Sequence, residues 1–344
     1  TTKDPLPPPD VINGNGTKPA VAGSSRINLN NADDFANVHV ISGLPNGAQY
    51  GAAITTVYNA SNGFNDLILM RGSFANGNTP GNFVAISGTA NLSANYDLSG
   101  ASYRNFSDPN AANTSAEQVT SVTSGDFDGD GTHELFIGAA YGYTPNTAEN
   151  DGFTYVMDIN GNTSTLYNNY SGQVSVDSLQ DLLGYSVDNL GDINNDGHTD
   201  IALSSPGYSS GHGLVRLELV DTDLGTIDTS ITYEGAAGEY IGGEVTALGD
   251  INGDGYDDFA FGVFDGMIDG SNVSSSLNAF FIVEGGENPL IYDELLEANK
   301  ITGGTDFGRH VDGVGDINGD GFSDVLVSNG DTSLKLLMGQ STIS

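Results

Sequence analysis

Gly249-Asp-Ile-Asn-Gly-Asp-Gly-Tyr-Asp-Asp258 recurs almost letter for letter as Gly315-Asp-Ile-Asn-Gly-Asp-Gly-Phe-Ser-Asp324. Two further copies align without gaps: Gly125-Asp-Phe-Asp-Gly-Asp-Gly-Thr-His-Glu134 and Gly191-Asp-Ile-Asn-Asn-Asp-Gly-His-Thr-Asp200. Asn59-Ala-Ser-Asn-Gly-Phe-Asn-Asp66 reads as a fifth copy, one residue shorter and stripped of most of its acids. The closing acids fall at 66, 134, 200, 258 and 324, so the intervals are 68, 66, 58 and 66 residues. An interval of this size holds four strands of about 5–6 residues plus turns. That is the content of one propeller blade.

An apolar run follows every loop: Leu67–Met70, Leu135–Gly138, Ile201–Leu203, Phe259–Phe261 and Val325–Val327. A second comes later in the unit, at Phe153–Met157, Leu214–Val220, Ala279–Val283 and Leu334–Met338. Short apolar runs bounded by Gly and Asn read as strands. Upstream of the loops, a large apolar residue precedes Gly in Tyr50-Gly51, Leu183-Gly184, Ile241-Gly242 and Phe307-Gly308, with Ile54, Val187, Val245 and Val311 three residues on. The second unit has Glu117-Gln118 instead. Only Leu290–Asn299 has a helical pattern. The expected fold is all-β, a β-propeller of five four-stranded blades over residues 36–344.

The loops have the chemistry of a calcium site. Ca²⁺ takes 6–8 oxygen ligands at about 2.3–2.6 Å, and carboxylates suit it. In the first full loop, positions 1, 3 and 5 supply Asp126, Asp128 and Asp130. Position 6 is Gly131, which permits a sharp turn. The carbonyl of Thr132 and the side chain of Glu134 complete the set. The corresponding residues are Asp192, Asn194, Asp196, His198 and Asp200; Asp250, Asn252, Asp254, Tyr256 and Asp258; and Asp316, Asn318, Asp320, Phe322 and Asp324. Without a cation, several carboxylates would crowd one turn and oppose folding. About four structural Ca²⁺ ions are therefore expected. The degenerate copy keeps only Asn62 and Asp66 at ligand positions and is expected to stay empty. An EF-hand needs Glu at position 12 between helices; position 12 here is Ile137, Leu203, Phe261 or Val327.

Of the 344 residues, 45 are acidic and 9 basic, for a net charge of −36. Nucleic acid and anionic membranes are disfavoured partners, because both require clustered Lys and Arg. With no Cys, disulfides are excluded. No apolar run is long enough to span a bilayer.

The apolar-Gly element, the Val three residues later, the Asp-rich loop and segments such as Phe136-Ile-Gly-Ala-Ala140 and Ala202-Leu-Ser-Ser-Pro206 together resemble the FG-GAP repeat. That repeat builds the β-propeller head of integrin α subunits and occurs in many bacterial surface proteins. The resemblance covers roughly residues 36–344, with five units where integrin heads have seven. It implies calcium at the four loops and a cell-adhesion module, extracellular or on a bacterial cell surface. A protein or glycan partner would sit on the face opposite the loops, within a larger surface assembly. The candidate contacts there are Arg71, Phe74, Tyr141, Tyr143, Tyr208, His212 and Phe264, since aromatics and Arg are common anchors.

No catalytic constellation stands out, and the chain is read as a non-enzyme. Gly207-Tyr-Ser-Ser-Gly211 fits G-x-S-x-G, but that elbow needs a helix after it, whereas Leu214–Val220 reads as a strand. His133-Glu134 begins a zinc motif that Ile137 breaks. His133 and His198 are expected at solvent-facing positions. The alternative reading is a polysaccharide-acting, lyase-like enzyme on the same scaffold, disfavoured because basic residues are few. Residues 1–35 are Pro-, Gly- and Asn-rich and read as a flexible linker. Val38–Ser42 is expected to pair beside Leu334–Met338 and so complete the fifth blade.

Overall fold

The computed structural model describes residues 40–42, 50–59, 62–71, 83–89, 95–97, 103–104, 119–127, 131–141, 152–158, 166–171, 181–223, 226–268, 271–287, 300–329 and 333–341. The expected helix at Leu290–Asn299 and the linker boundary at residue 35 lie outside them.

The first strands are β1 (Val40–Ser42), β2 (Tyr50–Asn59), β3 (Phe64–Arg71), β4 (Phe83–Ile86), β5 (Asn95–Asp97) and β6 (Tyr103–Arg104). β2, β3, β4 and β6 form an antiparallel sheet in that order. The second sheet is β7 (Ser121–Gly125), β8 (Glu134–Ala139), β9 (Phe153–Asp158) and β10 (Leu166–Ser171). The third is β11 (Val187–Gly191), β12 (Asp200–Ser205), β13 (Leu214–Asp223) and β14 (Thr226–Glu234). The fourth begins with β15 (Ile241–Gly249) and β16 (Asp258–Val263). A hairpin of β17 (Asp265–Ile268) and β18 (Ser271–Ser274) follows, and the sheet resumes with β19 (Ala279–Val283) and β20 (Lys300–Thr302). The fifth is β21 (Phe307–Gly315), β22 (Asp324–Asn329) and β23 (Leu334–Leu337). All five are meanders with the strand order of propeller blades.

Every apolar run named above falls in a strand, except that β23 ends one residue before Met338. Two expectations change. The fifth sheet has three strands among the described residues. The N-terminal strand does not complete it: β1 pairs in parallel with β5, Val40 opposite Asn95 and Ser42 opposite Asp97. Those two strands belong to a separate compact unit. Backbone N–H and C=O groups on a strand edge accept any extended partner, so the pairing of so short a segment is not specified by its side chains.

The cores lie between sheets. One cluster joins Val57, Ile68 and Met70 of the first sheet to Leu135 and Ile137 of the second. Others join Phe136 and Val156 to Val187 and Leu203, Val215 and Leu217 to Val245 and Phe261, and Phe280 and Ile282 to Val311 and Val325. The second strands of the three internal sheets, β8, β12 and β16, are therefore covered on both faces and buried at every residue. This is why they read as unbroken apolar runs rather than alternating ones.

The first strands of successive sheets, β2, β7, β11, β15 and β21, lie each against the next. Side chains on one strand bond the backbone of the following one. Val187 N–H donates to Ser121 Oγ at 3.2 Å, Val245 N–H to Ser186 Oγ at 3.1 Å, and Val311 N–H to Glu244 Oε2 at 2.9 Å. These three acceptors occupy one register position. Asp188 spans two seams, taking Thr123 Oγ1–H and the N–H of Ala247.

The apolar-Gly element supplies the close approach. Leu183, Ile241 and Phe307 are buried. Gly308 has φ +80°, and a Cβ there would collide with the Ala279 carbonyl. A Cβ at Gly138, in the second sheet, would likewise strike the carbonyl of Gly184 in the third. No helix among the described residues is long and apolar enough to cross a membrane.

Candidate functional site

Each Asp-rich loop joins the first and second strands of a sheet, so all of them lie at the same end of their sheets. The loops at 192–199, 250–257 and 316–323 are described in full, and they share one hydrogen-bond pattern. The carboxylate at position 1 accepts the N–H of position 6: Gly197 to Asp192 Oδ2 at 2.8 Å, Gly255 to Asp250 at 3.0 Å, Gly321 to Asp316 at 2.8 Å. It also accepts the N–H of position 5. The Asn at position 3 accepts that same N–H and donates Nδ2–H to the position-5 carboxylate, as in Asn194 to Asp196 at 2.8 Å. The position-5 carboxylate in turn accepts the N–H of His198, Tyr256 or Phe322. Three oxygen-bearing side chains thus fold over one turn. Gly at position 6 makes this possible with φ of +95°, +94° and +96°, a region L side chains avoid. The N–H bonds hold the Asp316 carboxyl below the usual carboxylate range.

The first loop keeps this geometry where it is described. Gly131 has φ +86°, and its N–H reaches Asp126 Oδ2 at 3.0 Å. Asp126 Oδ1 is buried with no hydrogen-bond partner. Asp128 and Asp130 lie outside the described residues. Among those residues, no three His, Asp or Glu side chains form a metal cluster by themselves; the loop oxygens at positions 1, 3 and 5 include an Asn amide.

Position 9 does more than its spacing suggests. Glu134, Asp200, Asp258 and Asp324 are all buried. In the three Asp cases, one oxygen accepts the N–H at loop position 2: Ile193 at 3.1 Å, Ile251 at 2.9 Å, Ile317 at 3.0 Å. The other oxygen accepts an N–H within or just past the third strand: Val220 at 3.0 Å, Gly285 at 2.8 Å, Gly339 at 3.0 Å. Glu134 takes the N–H of Phe127 at 3.0 Å. The acid pins the loop base to its own sheet. Its place at the head of a largely buried strand was the available signal.

The degenerate loop is not shorter. Val57 pairs with Asp66 as Gly191 pairs with Asp200, across the same number of residues. Asn62 falls at position 5 and Gly63, with φ +75°, at position 6. Asp66 accepts the N–H of Gly88 at 2.9 Å. Tyr58 and Ala60, however, replace the ligands at positions 1 and 3. His133 is also not solvent-facing: its ring lies 6.1 Å from that of Tyr58 in the preceding loop, and its Nδ1 is buried.

Burial raises the carboxyls of Asp200 and Asp258 to about 7, and the neighbouring loop carboxylates add to the rise against two N–H bonds each. In the cation-free chain these two groups keep protons between pH 4 and 7 that the unfolded chain has released. Stability carried by them therefore grows as pH falls through about 7 and declines as pH rises. The melting temperature in EDTA is expected to climb between pH 8 and pH 5, and Asp258→Asn to flatten the climb. A flat or falling profile for the parent chain contradicts the assignment.

The opposite end of the sheets carries the connections between second and third strands and from one sheet to the next. Tyr141 and Phe264 share a cluster there with Leu182, Ile268, Tyr185 and Tyr240. Phe264 is a correction to the sequence reading: it is buried, edge-on to Tyr185 at 4.9 Å, because the β17–β18 hairpin folds over it. Tyr185 and Tyr240 were missed. Burial raises the phenols of Tyr141, Tyr185 and Tyr208. His212 Nδ1 lies 3.1 Å from Glu234 Oε1, one turn from Tyr208. Ser209 lies in a single four-residue turn, α1 (Tyr208–Gly211), with left-handed backbone at Ser209 and Ser210, and β13 rather than a longer helix follows, so no nucleophile elbow forms. Arg71 ends β3, while Phe74 and Tyr143 lie outside the described residues.

The profile of the FG-GAP repeat matches residues 119–157 and 183–227, the second and third sheets with their loops. These segments are FG-GAP repeats. Integrin alpha-8 of Gallus gallus is 33% identical over 150 residues, 41% of this chain and 13% of that protein. Integrin alpha-8 of Mus musculus is 33% identical over 151 residues, 42% and 13%. Integrin alpha-PS5 of Drosophila melanogaster is 30% identical over 196 residues, 53% and 18%. The chain thus spans less than a fifth of these relatives. In this region the chain is similar to integrin α subunits, and its all-β sheets are consistent with a propeller-type repeat.

Proposed function

We propose that this chain is a calcium-stabilised propeller module for extracellular adhesion, with Ca²⁺ in the loops and a protein or glycan partner at the opposite end. The observation that carries the calcium reading is the repeated loop geometry. In three loops the oxygens of positions 1, 3 and 5 fold over one turn; in the fourth, Asp126 Oδ1 is buried without a partner. The donors are hard oxygens, which suit Ca²⁺. Asp126, Asp128, Asp130 and Glu134, with Asp192, Asn194, Asp196, Asp200 and their counterparts in the last two loops, would hold the ions. The bound cation would supply charge neutralisation and rigidity, not chemistry. The carbonyls of Thr132, His198, Tyr256 and Phe322 complete the proposed sets.

Such sites fill where calcium is abundant, which supports an extracellular or cell-surface location; the integrin names of the relatives point the same way. At the partner end, Tyr141, Tyr208 and His212 offer aromatic and polar contact groups, with Tyr185 and Tyr240 beside them. Calorimetric titration with Ca²⁺ should show about four sites, with Mg²⁺ weaker because it demands a tighter shell. A protein and glycan array probed with and without Ca²⁺ should yield a partner lost on Tyr208→Ala. Absence of calcium binding overturns the reading. Turnover of an acidic polysaccharide would replace it with the lyase alternative.

A further inference from the structure

In three of the loops, position 8 reaches back over the loop of the preceding sheet. His133 stands against Tyr58, which holds position 1 of the degenerate loop. Ser323 donates its N–H to the Asp250 carbonyl at 3.0 Å, and its hydroxyl lies over Gly249. Asp257 lies over Gly191 in the same way, and its carboxylate accepts the N–H of Asp192. Gly191 and Gly249, directly before position 1, clear the space. A Cβ at Gly191 would collide with Asp257 Oδ2, and one at Gly249 with Ser323 Oγ.

The residues at position 8 are His133, Thr199, Asp257 and Ser323, so Asp257 alone is an acid. It faces two groups of its own sign, Asp192 in the preceding loop and Asp250 in its own. Setting a half-buried carboxylate beside two others costs energy, and the Asp192 N–H offsets part of it. The residue that donates this N–H also opens the turn of the preceding loop. The Asp192 carboxylate accepts the N–H of Asp196 at 2.9 Å and of Gly197 at 2.8 Å. Holding the Asp192 N–H fixes the backbone from which that side chain springs.

We propose that Asp257 is a positioning residue for the cation of the loop before it, setting the calcium affinity of loop 192–199 from the neighbouring sheet through the N–H of Asp192. The inference rests on the calcium reading above. A group that orients a metal ligand from behind is worth about 10- to 100-fold in affinity. A single bond to the backbone places the expected effect at about tenfold, the low end of that range.

Calorimetric titration of the full chain with Ca²⁺ tests this in two backgrounds. Asp254→Ala weakens the site of loop 250–257 beforehand; adding Asp257→Ala should then lower one remaining affinity about tenfold. Asp196→Ala weakens the site of loop 192–199 beforehand; adding Asp257→Ala should then leave the remaining affinities unchanged. Asp257→Asn keeps an oxygen for the Asp192 N–H and should restore most of the loss. Melting temperatures in calcium should stay close to that of each background. A loss confined to the Asp196→Ala chain makes Asp257 part of its own loop only and overturns the proposal. Equal losses in both backgrounds, or no rescue by Asp257→Asn, indicate a plain charge effect and overturn it too, as does no loss in either. A parent chain that gives no heat with Ca²⁺ brings down the reading of the loops themselves, and this proposal with it, before any variant is compared.

Discussion

Excess EDTA should lower the melting temperature of this chain by roughly 20 °C. A cation present at a hundred times its Kd contributes about 2.7 kcal/mol per site. Four sites contribute about 11 kcal/mol, and each kcal/mol moves the midpoint of a chain this size by about 2 °C. The physical origin is the crowding of carboxylates in loops such as Asp316, Asn318 and Asp320, whose oxygens share one turn. Thermal melts in calcium, in magnesium and in chelator check the effect. An unchanged midpoint in chelator would sink the metal reading for all four loops together.

The second large effect separates the two roles of the loop acids. Asp258→Ala removes the acceptor of two backbone N–H groups, those of Ile251 and Gly285. Leaving two such donors unsatisfied costs about 1–3 kcal/mol each. A loss of about 3–5 kcal/mol is therefore expected in urea unfolding, with calcium and without it. Asp254→Ala, at exposed position 5, should weaken the chain only when calcium is present. If Asp258→Ala were silent in chelator, the carboxylate would be a ligand and not the pin described above.

Much of this architecture is written in the chain because the repeat places chemically demanding residues at fixed offsets. Gly197, Gly255 and Gly321 need left-handed backbone, and the second strands need a run of apolar residues after the closing acid, so both are visible by eye. The β17–β18 hairpin is not visible: Ser271–Ser274 is polar and mostly exposed, and nothing in its composition separates it from a loop. Phe264 was misplaced for that reason. The partner of β1 could not be read either, since three residues of backbone pairing carry almost no side-chain information. The bonds that Asp200, Asp258 and Asp324 accept were obscured by their expected role as ligands; a carboxylate in a ligand pattern draws the eye from the N–H groups beneath it.

The loops are also tied across the seams. Gly286 N–H reaches the Ile193 carbonyl at 2.9 Å, Gln340 N–H the Ile251 carbonyl at 3.0 Å, and Ser323 N–H the Asp250 carbonyl at 3.0 Å. The loops at 192–199 and 250–257 are therefore each fastened at the base to their own sheet and at the shoulder to the next. Under a pulling force, joints of this kind are strained in concert, so a tug on one repeat is passed to its neighbours instead of peeling a single sheet away. A cation in such a loop, as proposed above, would stiffen the rivet between two repeats, and the tensile strength of the repeats would then follow the calcium content of the fluid around them.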